Sequence, residues 1–198
     1  MDKQVVKVNC VIGIDPGANG GIAIYRPGRP VVVVKMPCDM NILFSYLKGL
    51  MEMCSPLVFL EKLTVRADDV QFTSEGVNMG KLYRIQKMIA NYEQLRSTLT
   101  ICEIPFVLVH PMKWQNGLNV RIKGRHEEKA DRKRRYRDIA GQLYPAIRAT
   151  LWNADALLIM HYGRHVLKSD IKWVAENLPK KMHERVISPN TGFTSENG

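Results

Sequence analysis

The chain has 198 residues, one domain's worth with a single sizeable core, and its 45% hydrophobic and 24% charged content is ordinary for a globular protein. Lys and Arg number 29 against 19 Asp and Glu, a formal net charge of +10 that points to a polyanionic partner. No apolar run approaches the roughly 20 residues that span a bilayer, and the short Val-rich run before Asp15 does not make a signal peptide, so a non-secreted, cytoplasmic protein without membrane contact is expected.

In chain order, Val5 to Ile14 is a β-branched run suited to a central strand buried on both faces, stopped by the turn Asp15-Pro16-Gly17. Gly20 to Tyr25 predicts a second strand, and Val31 to Met36 a third after Arg26-Pro27-Gly28-Arg29-Pro30. Helical spacing of Leu43, Leu47, Leu50 and Met51 predicts a helix over 41–53. Leu57 to Leu60 is a short strand ending at Glu61, and 64–74 is a polar loop. A long helix is expected from Ser74 or Glu75 to about Leu95, then a strand from Phe106 to Val109 stopped by His110-Pro111. A loop with Gly117 and Gly124 leads into a helix over 127–143, and Asn153 to Leu167 forms another. Five strands and interspersed helices describe a three-layer α/β domain over 1–178, with a polar, poorly ordered tail over 179–198.

The basic charge is clustered. Between Arg121 and Arg137 stand nine basic residues and three acids, so this segment carries +6 of the net +10. Such a stripe is the footprint of a phosphate-backbone binder, or otherwise a solvated helix face. The four cysteines, at 10, 38, 54 and 102, have no metal or redox spacing and are expected as buried, reduced thiols.

Three acids stand where solubility does not require them. Asp15 ends Val11-Ile12-Gly13-Ile14-Asp15, Glu61 ends Leu57-Val58-Phe59-Leu60-Glu61, and Asp155 lies in Asn153-Ala154-Asp155-Ala156-Leu157-Leu158-Ile159. A carboxylate at the end of a buried strand is costly unless a cation or donor meets it. Neighbouring strands bring two of them to one sheet edge, and a helix start packed there adds the third. Clustered oxygen ligands suit Mg²⁺ or Mn²⁺, and two such ions clamp the attacking and leaving oxygens of a phosphoryl displacement. Taken singly, the three also fit a turn residue, a strand-end charge and a helix N-terminal acid. His161 and His165, four apart on a helix, lack the accompanying Glu pattern of a metal site and are taken as ordinary helix residues.

Ile12-Gly13-Ile14-Asp15-Pro16-Gly17 with Gly20-Gly21 resembles the opening of RuvC-type Holliday-junction resolvases. Phe59-Leu60-Glu61-Lys62 and Asn153 to Ile159 resemble their second and last acidic motifs. Val109-His110-Pro111-Met112-Lys113-Trp114-Gln115 is similar to the intervening strand-end motif of phage-encoded members. The four motifs keep order and spacing over about residues 8–167.

The resemblance implies an RNase H-like fold with a mixed five-stranded sheet and helices on both faces. It further implies a homodimer that binds four-way DNA junctions and nicks two strands symmetrically by metal-activated water attack, using Mg²⁺ (or Mn²⁺), two ions per complete site. Asp15 then bridges the metals, with Glu61 and Asp155 completing the cage. The match departs before the last Asp, where Arg148 to Asn153 hold no fourth acid or histidine; Asn153 is either a neutral oxygen ligand or a helix cap. Lys129 or Lys133 is the candidate partner of the scissile phosphate or leaving group. Phe72 is a candidate for stacking on unpaired bases, or else a loop aromatic folded on the core. Lys113, Arg121, Lys123, Arg125, Arg132, Lys133, Arg134 and Arg135 are the candidate DNA contacts.

Other readings remain: an actin-like ATPase, for which one small domain is too short, a junction binder that no longer cuts, and a nuclease for other branched DNA or RNA.

Overall fold

The computed structural model of the protein describes residues 4–17, 19–65, 72–73, 76–122, 127–179 and 185–189. The first half comprises β1 (Gln4–Val8), β2 (Cys10–Ile14), β3 (Gly21–Tyr25), β4 (Val32–Lys35), α1 (Met40–Met53), β5 (Pro56–Glu61), β6 (Phe72–Thr73) and β7 (Gly76–Val77). The second comprises α2 (Met79–Ile101), β8 (Phe106–Val109), α3 (Pro111–Gly117), α4 (Lys129–Leu143), α5 (Ala154–Ser169), α6 (Ile171–Glu176) and β9 (Arg185–Pro189).

The central sheet has the order β4-β3-β2-β5-β8. Its β2–β3 and β3–β4 pairs are antiparallel, while β2–β5 and β5–β8 are parallel. Short turns suffice for the first two pairs; the parallel ones need crossovers, which α1 and α2 provide. β2 and β3 are buried along their whole length, as expected of apolar strands covered on both faces.

Two glycines show which face each strand residue takes. A Cβ on Gly13 would lie 2.2 Å from the Met160 nitrogen and 2.4 Å from the Ala156 oxygen, so the backbones of β2 and α5 touch there. A Cβ on Gly163 would meet the ring of Phe59, which places Phe59 on that same face. Since side chains alternate along a strand, Cys10, Ile12 and Ile14 face the other way, and Cys10 there hydrogen-bonds Cys54 at the C-terminal end of α1. Thus α5 covers one face and α1 the other, with α2 packed on α1.

Several expectations change. The run from Val5 to Ile14 is two strands in different sheets: Asn9 breaks it, donating its N–H to the Ser55 carbonyl at 3.2 Å while its side chain accepts the Ser55 N–H at 2.7 Å. β1 then pairs in parallel with β9. The segment expected as a poorly ordered tail therefore contains a strand at Arg185–Pro189; the remainder of that segment beyond residue 179 lies outside the described residues. Phe72–Thr73, in the expected loop, and Gly76–Val77, where the long helix was expected to begin, form a small antiparallel ladder.

α2 begins four residues later than expected, where the Asn78 side chain accepts the Lys81 N–H at 3.0 Å. It also runs six residues further, to Ile101, with the Thr98 and Thr100 hydroxyls donating back to the Gln94 and Arg96 carbonyls. His110-Pro111 starts a helix as well as stopping a strand: His110 Nδ1 accepts the Met112 N–H at 3.2 Å, and Pro111 stands at the first helical position. Of the four cysteines, all are free thiols, and Cys38 is exposed rather than buried. Among the described residues no helix is long and apolar enough to cross a membrane.

Candidate active site

The parallel register of β2 and β5 sets Gly13 beside Phe59 and Ile14 beside Leu60. One residue further on, Asp15 and Glu61 leave the two strands side by side, both on the α5 face. The turn that follows Asp15 is tight: Asp15 N–H donates to the Gly21 carbonyl at 3.0 Å, Gly17 N–H to Asp15 Oδ1 at 3.1 Å, and a Cβ on Gly20 would lie 2.2 Å from the Asp15 oxygen. Asp155 sits in the first turn of α5, next to the Ala156 that meets Gly13, where the helix dipole favours a negative charge. Sheet register and helix docking thus bring the three acids together.

Their surroundings are apolar, and the charges feel one another. Burial, then the nearby Asp15 carboxylate, pushes Glu61 up to about 8. Trp114 on α3 opposes this through its indole N–H, which donates to Glu61 Oε1 at 2.9 Å. Asp155 is 6% exposed, and burial raises it against the pull of Lys133. Lys133 of α4 donates to Asp155 Oδ2. Burial alone would lower that ammonium, but the carboxylates of Asp155, Asp15 and Glu61 outweigh it and hold it above its ordinary value. Asp155 Oδ1 is buried and has no hydrogen-bond partner.

A buried, unpartnered carboxylate oxygen beside two further acids is a donor set short of positive charge. Hard oxygen donors of this kind fit Mg²⁺ or Mn²⁺. In the metal-free arrangement the ammonium of Lys133 is the counter-charge, and among the described residues no three His, Cys, Asp or Glu side chains stand in ligating position.

The remaining candidates divide. Lys133, not Lys129, reaches the acids; Lys129 is exposed one turn earlier. Asn153 plays neither expected part, since its Oδ1 accepts the Thr150 N–H at 2.7 Å and its Nδ2 donates to the Arg148 carbonyl at 3.2 Å, so it braces the preceding turn without capping α5. Arg132 lies close enough to lower Asp155, and Arg134 is exposed in a surface pair with Asp131. Arg135 is committed to the protein: its guanidinium grips both Glu127 oxygens and the Val120 carbonyl. Lys113 is exposed with its ammonium 5.0 Å from the centre of the Trp173 ring. Arg121 is exposed, Lys123 and Arg125 lie outside the described residues, and Phe72 is described only as a backbone position in β6. His161 is held by the Tyr144 hydroxyl at 2.9 Å, in keeping with an ordinary helix residue.

Trp114 stands in the segment after the Phe106–Val109 strand, and the sequence alone assigns it no task. The available signal was an aromatic donor three residues beyond a His-Pro helix start, on a segment that follows a strand parallel to the one ending in Glu61.

No protein-family model and no curated protein sequence matches the chain. Among solved structures it is similar to Thermus thermophilus RuvC in complex with Holliday junction substrate, at 15% identity and a TM-score of 0.51, over 81% of this chain and 96% of that one. A second Thermus thermophilus RuvC structure aligns at 14% identity and a TM-score of 0.48, over 85% and 98%. With the strand order, the parallel β2–β5 pair and the helices on both faces, the first of these similarities shows that the chain has the RuvC-type, RNase H-like three-layer α/β fold.

Proposed function

We propose that this protein is a metal-dependent endonuclease that resolves four-way DNA junctions by paired, symmetric nicks. The observation that carries the reading is the convergence of Asp15, Glu61 and Asp155 beside Lys133 and the basic helix α4, with one Asp155 oxygen buried and unpartnered. The fold agrees with it, since a protein of the same fold is known in complex with a Holliday junction substrate.

In this reading Asp15, Glu61 and Asp155 hold one or two Mg²⁺ or Mn²⁺ ions. Bound there, such ions supply a water acidic enough to attack a phosphodiester and stabilise the charge that develops on the phosphate. The chain's own groups do the rest. Glu61 must give up its proton to serve as a ligand, and Trp114 favours that ionised form. Lys133, which donates to Asp155 Oδ2, is the ammonium that would meet the scissile phosphate or the leaving oxygen beside the acids. Arg132 and Arg134 of α4, with Arg121 and the neighbouring Lys123 and Arg125, contact flanking phosphates, which fixes position without reading sequence. Phe72 stacks on unpaired bases near the junction centre. The second protomer needed for paired nicks docks through α2, whose Met79 and Tyr83 are 70% and 65% exposed.

A second reading has one observation in its favour. Among the described residues no acid replaces the missing fourth ligand, and the Asn153 oxygen is already used by Thr150; a junction binder that does not cut fits this. Incubating an immobile four-way junction and a linear duplex of the same sequence with Mg²⁺, Mn²⁺ or EDTA separates the two. Paired nicks in the junction alone, abolished by EDTA, are expected; tight junction binding without cutting selects the second reading.

A further inference from the structure

We infer that Trp114 is a positioning residue for Glu61: its indole fixes the carboxylate that the proposed nuclease needs and ties it to the basic helix. The inference rests on the nuclease reading of the site. Trp114 is among the largest fully buried side chains of the molecule, and its Nε1–H finds its partner in Glu61 Oε1. An indole N–H only donates, so this bond favours a carboxylate with an oxygen turned toward it and leaves Glu61 Oε2 for another partner.

The other edge of the arrangement is aromatic. The Trp114 ring meets Tyr136 edge to face, at 5.4 Å between centres and 63° between planes. Tyr136 is on α4, three residues beyond Lys133 and so on the same helical face, and Lys133 holds Asp155. Glu61 is thus joined through Trp114 and Tyr136 to the face of α4 that carries Lys133, the partner of Asp155, so two acids from different elements are referred to one helix. Packing alone does not require the donor: a phenyl ring fills much of the same space. Glu61 does require it, because its carboxyl group lies in apolar surroundings and the Trp114 Nε1–H is the donor that meets Oε1 there.

Substitution of Trp114 by β-(benzothiophen-3-yl)alanine tests this, because sulfur replaces the N–H while the shape is kept; Trp114→Phe is the genetically simple companion. Mn²⁺ affinity by calorimetry is expected to fall roughly 10-fold in the isosteric variant, the usual scale for losing a group that orients a ligand. Its melting temperature and its junction affinity in EDTA are expected to stay at the wild-type values, while kcat falls and KM does not rise. In metal-free protein, Glu61→Leu, which removes the acceptor, is expected to move the Trp114 indole ¹⁵N–¹H resonance. A wild type that binds Mn²⁺ with an isosteric variant that binds it equally well overturns the inference and leaves the nuclease reading standing. A wild type that binds no Mn²⁺ and cuts no junction overturns both. An indole resonance indifferent to Glu61→Leu shows that the Trp114–Glu61 hydrogen bond is absent and overturns the inference.

Discussion

Asp15, Glu61 and Asp155 share one electrostatic difficulty, in that each needs positive charge and the core offers almost none. Lys133 supplies one charge to Asp155, and Glu61 answers by holding its proton up to about pH 8. In the metal-free protein this makes stability depend on pH in a definite direction. Between the ordinary carboxylate range near 4.5 and about 8, folded Glu61 keeps a proton that the unfolded chain has lost, so stability falls as pH rises through that window. Urea denaturation in EDTA at several pH values should show the decline in wild type, and Glu61→Gln should flatten it. Metal binding has the opposite trend, strengthening as pH rises, because the same proton must leave. Asp15→Asn is expected to abolish cutting, with a loss of at least about 100-fold, while junction affinity in gel shifts remains near wild type. Normal cutting by that variant means that the site lies elsewhere.

Elements place these residues, and the contact between β2 and α5 is the closest of them. Gly13 allows the strand and helix backbones to touch, which draws Asp15 and Asp155 to the same level. A methyl group at Gly13 has no room, with backbone atoms of Met160 and Ala156 in its place, so Gly13→Ala should cost about 3 kcal/mol or more by chemical denaturation. A cost below about 1 kcal/mol means that the two elements are not in contact. The α4 helix presents two kinds of arginine. Arg134 is exposed and Arg132 half-buried near Asp155; if both meet phosphates, replacing both with Gln should reduce the slope of log affinity against log salt by roughly 1.8. Arg135 grips Glu127 and Val120; Arg135→Ala should lower the melting temperature and leave that slope nearly unchanged.

At the scale of the whole molecule, apolar surface on α2 stands out. Met79 and Tyr83 are one turn apart on the same side of the helix and largely exposed. In the proposed resolvase this face receives a second copy. Light scattering should then give twice 22.6 kDa for the wild type and a single chain mass for a Met79→Glu, Tyr83→Glu variant, which binds one arm of a junction and loses the pairing of nicks. A monomeric wild type that still cuts symmetrically removes α2 from the interface.

The acids themselves were legible in the linear chain, because a carboxylate that interrupts an apolar strand or opens an apolar helix is visible without coordinates. So were the sheet's five strands, the clustered positive charge and the turn after Asp15, all of which depend on neighbours within a few residues. Long-range partners were not. Val5 to Ile14 reads as one strand until Asn9 is seen bonded to Ser55, and β9 has no local signal strong enough to foretell its pairing with β1. Lys129 and Lys133 lie one turn apart on the same face of α4 and differ only in which turn stands level with Asp155. Arg135 counted with the DNA-facing charges until its partners Glu127 and Val120 were in place, and Trp114 acquired a task only when β8 delivered α3 beside β5. Residue type and local spacing determined which chemistry was available; tertiary packing alone decided which groups meet, because that depends on register, helix rotation and backbone contact between distant segments.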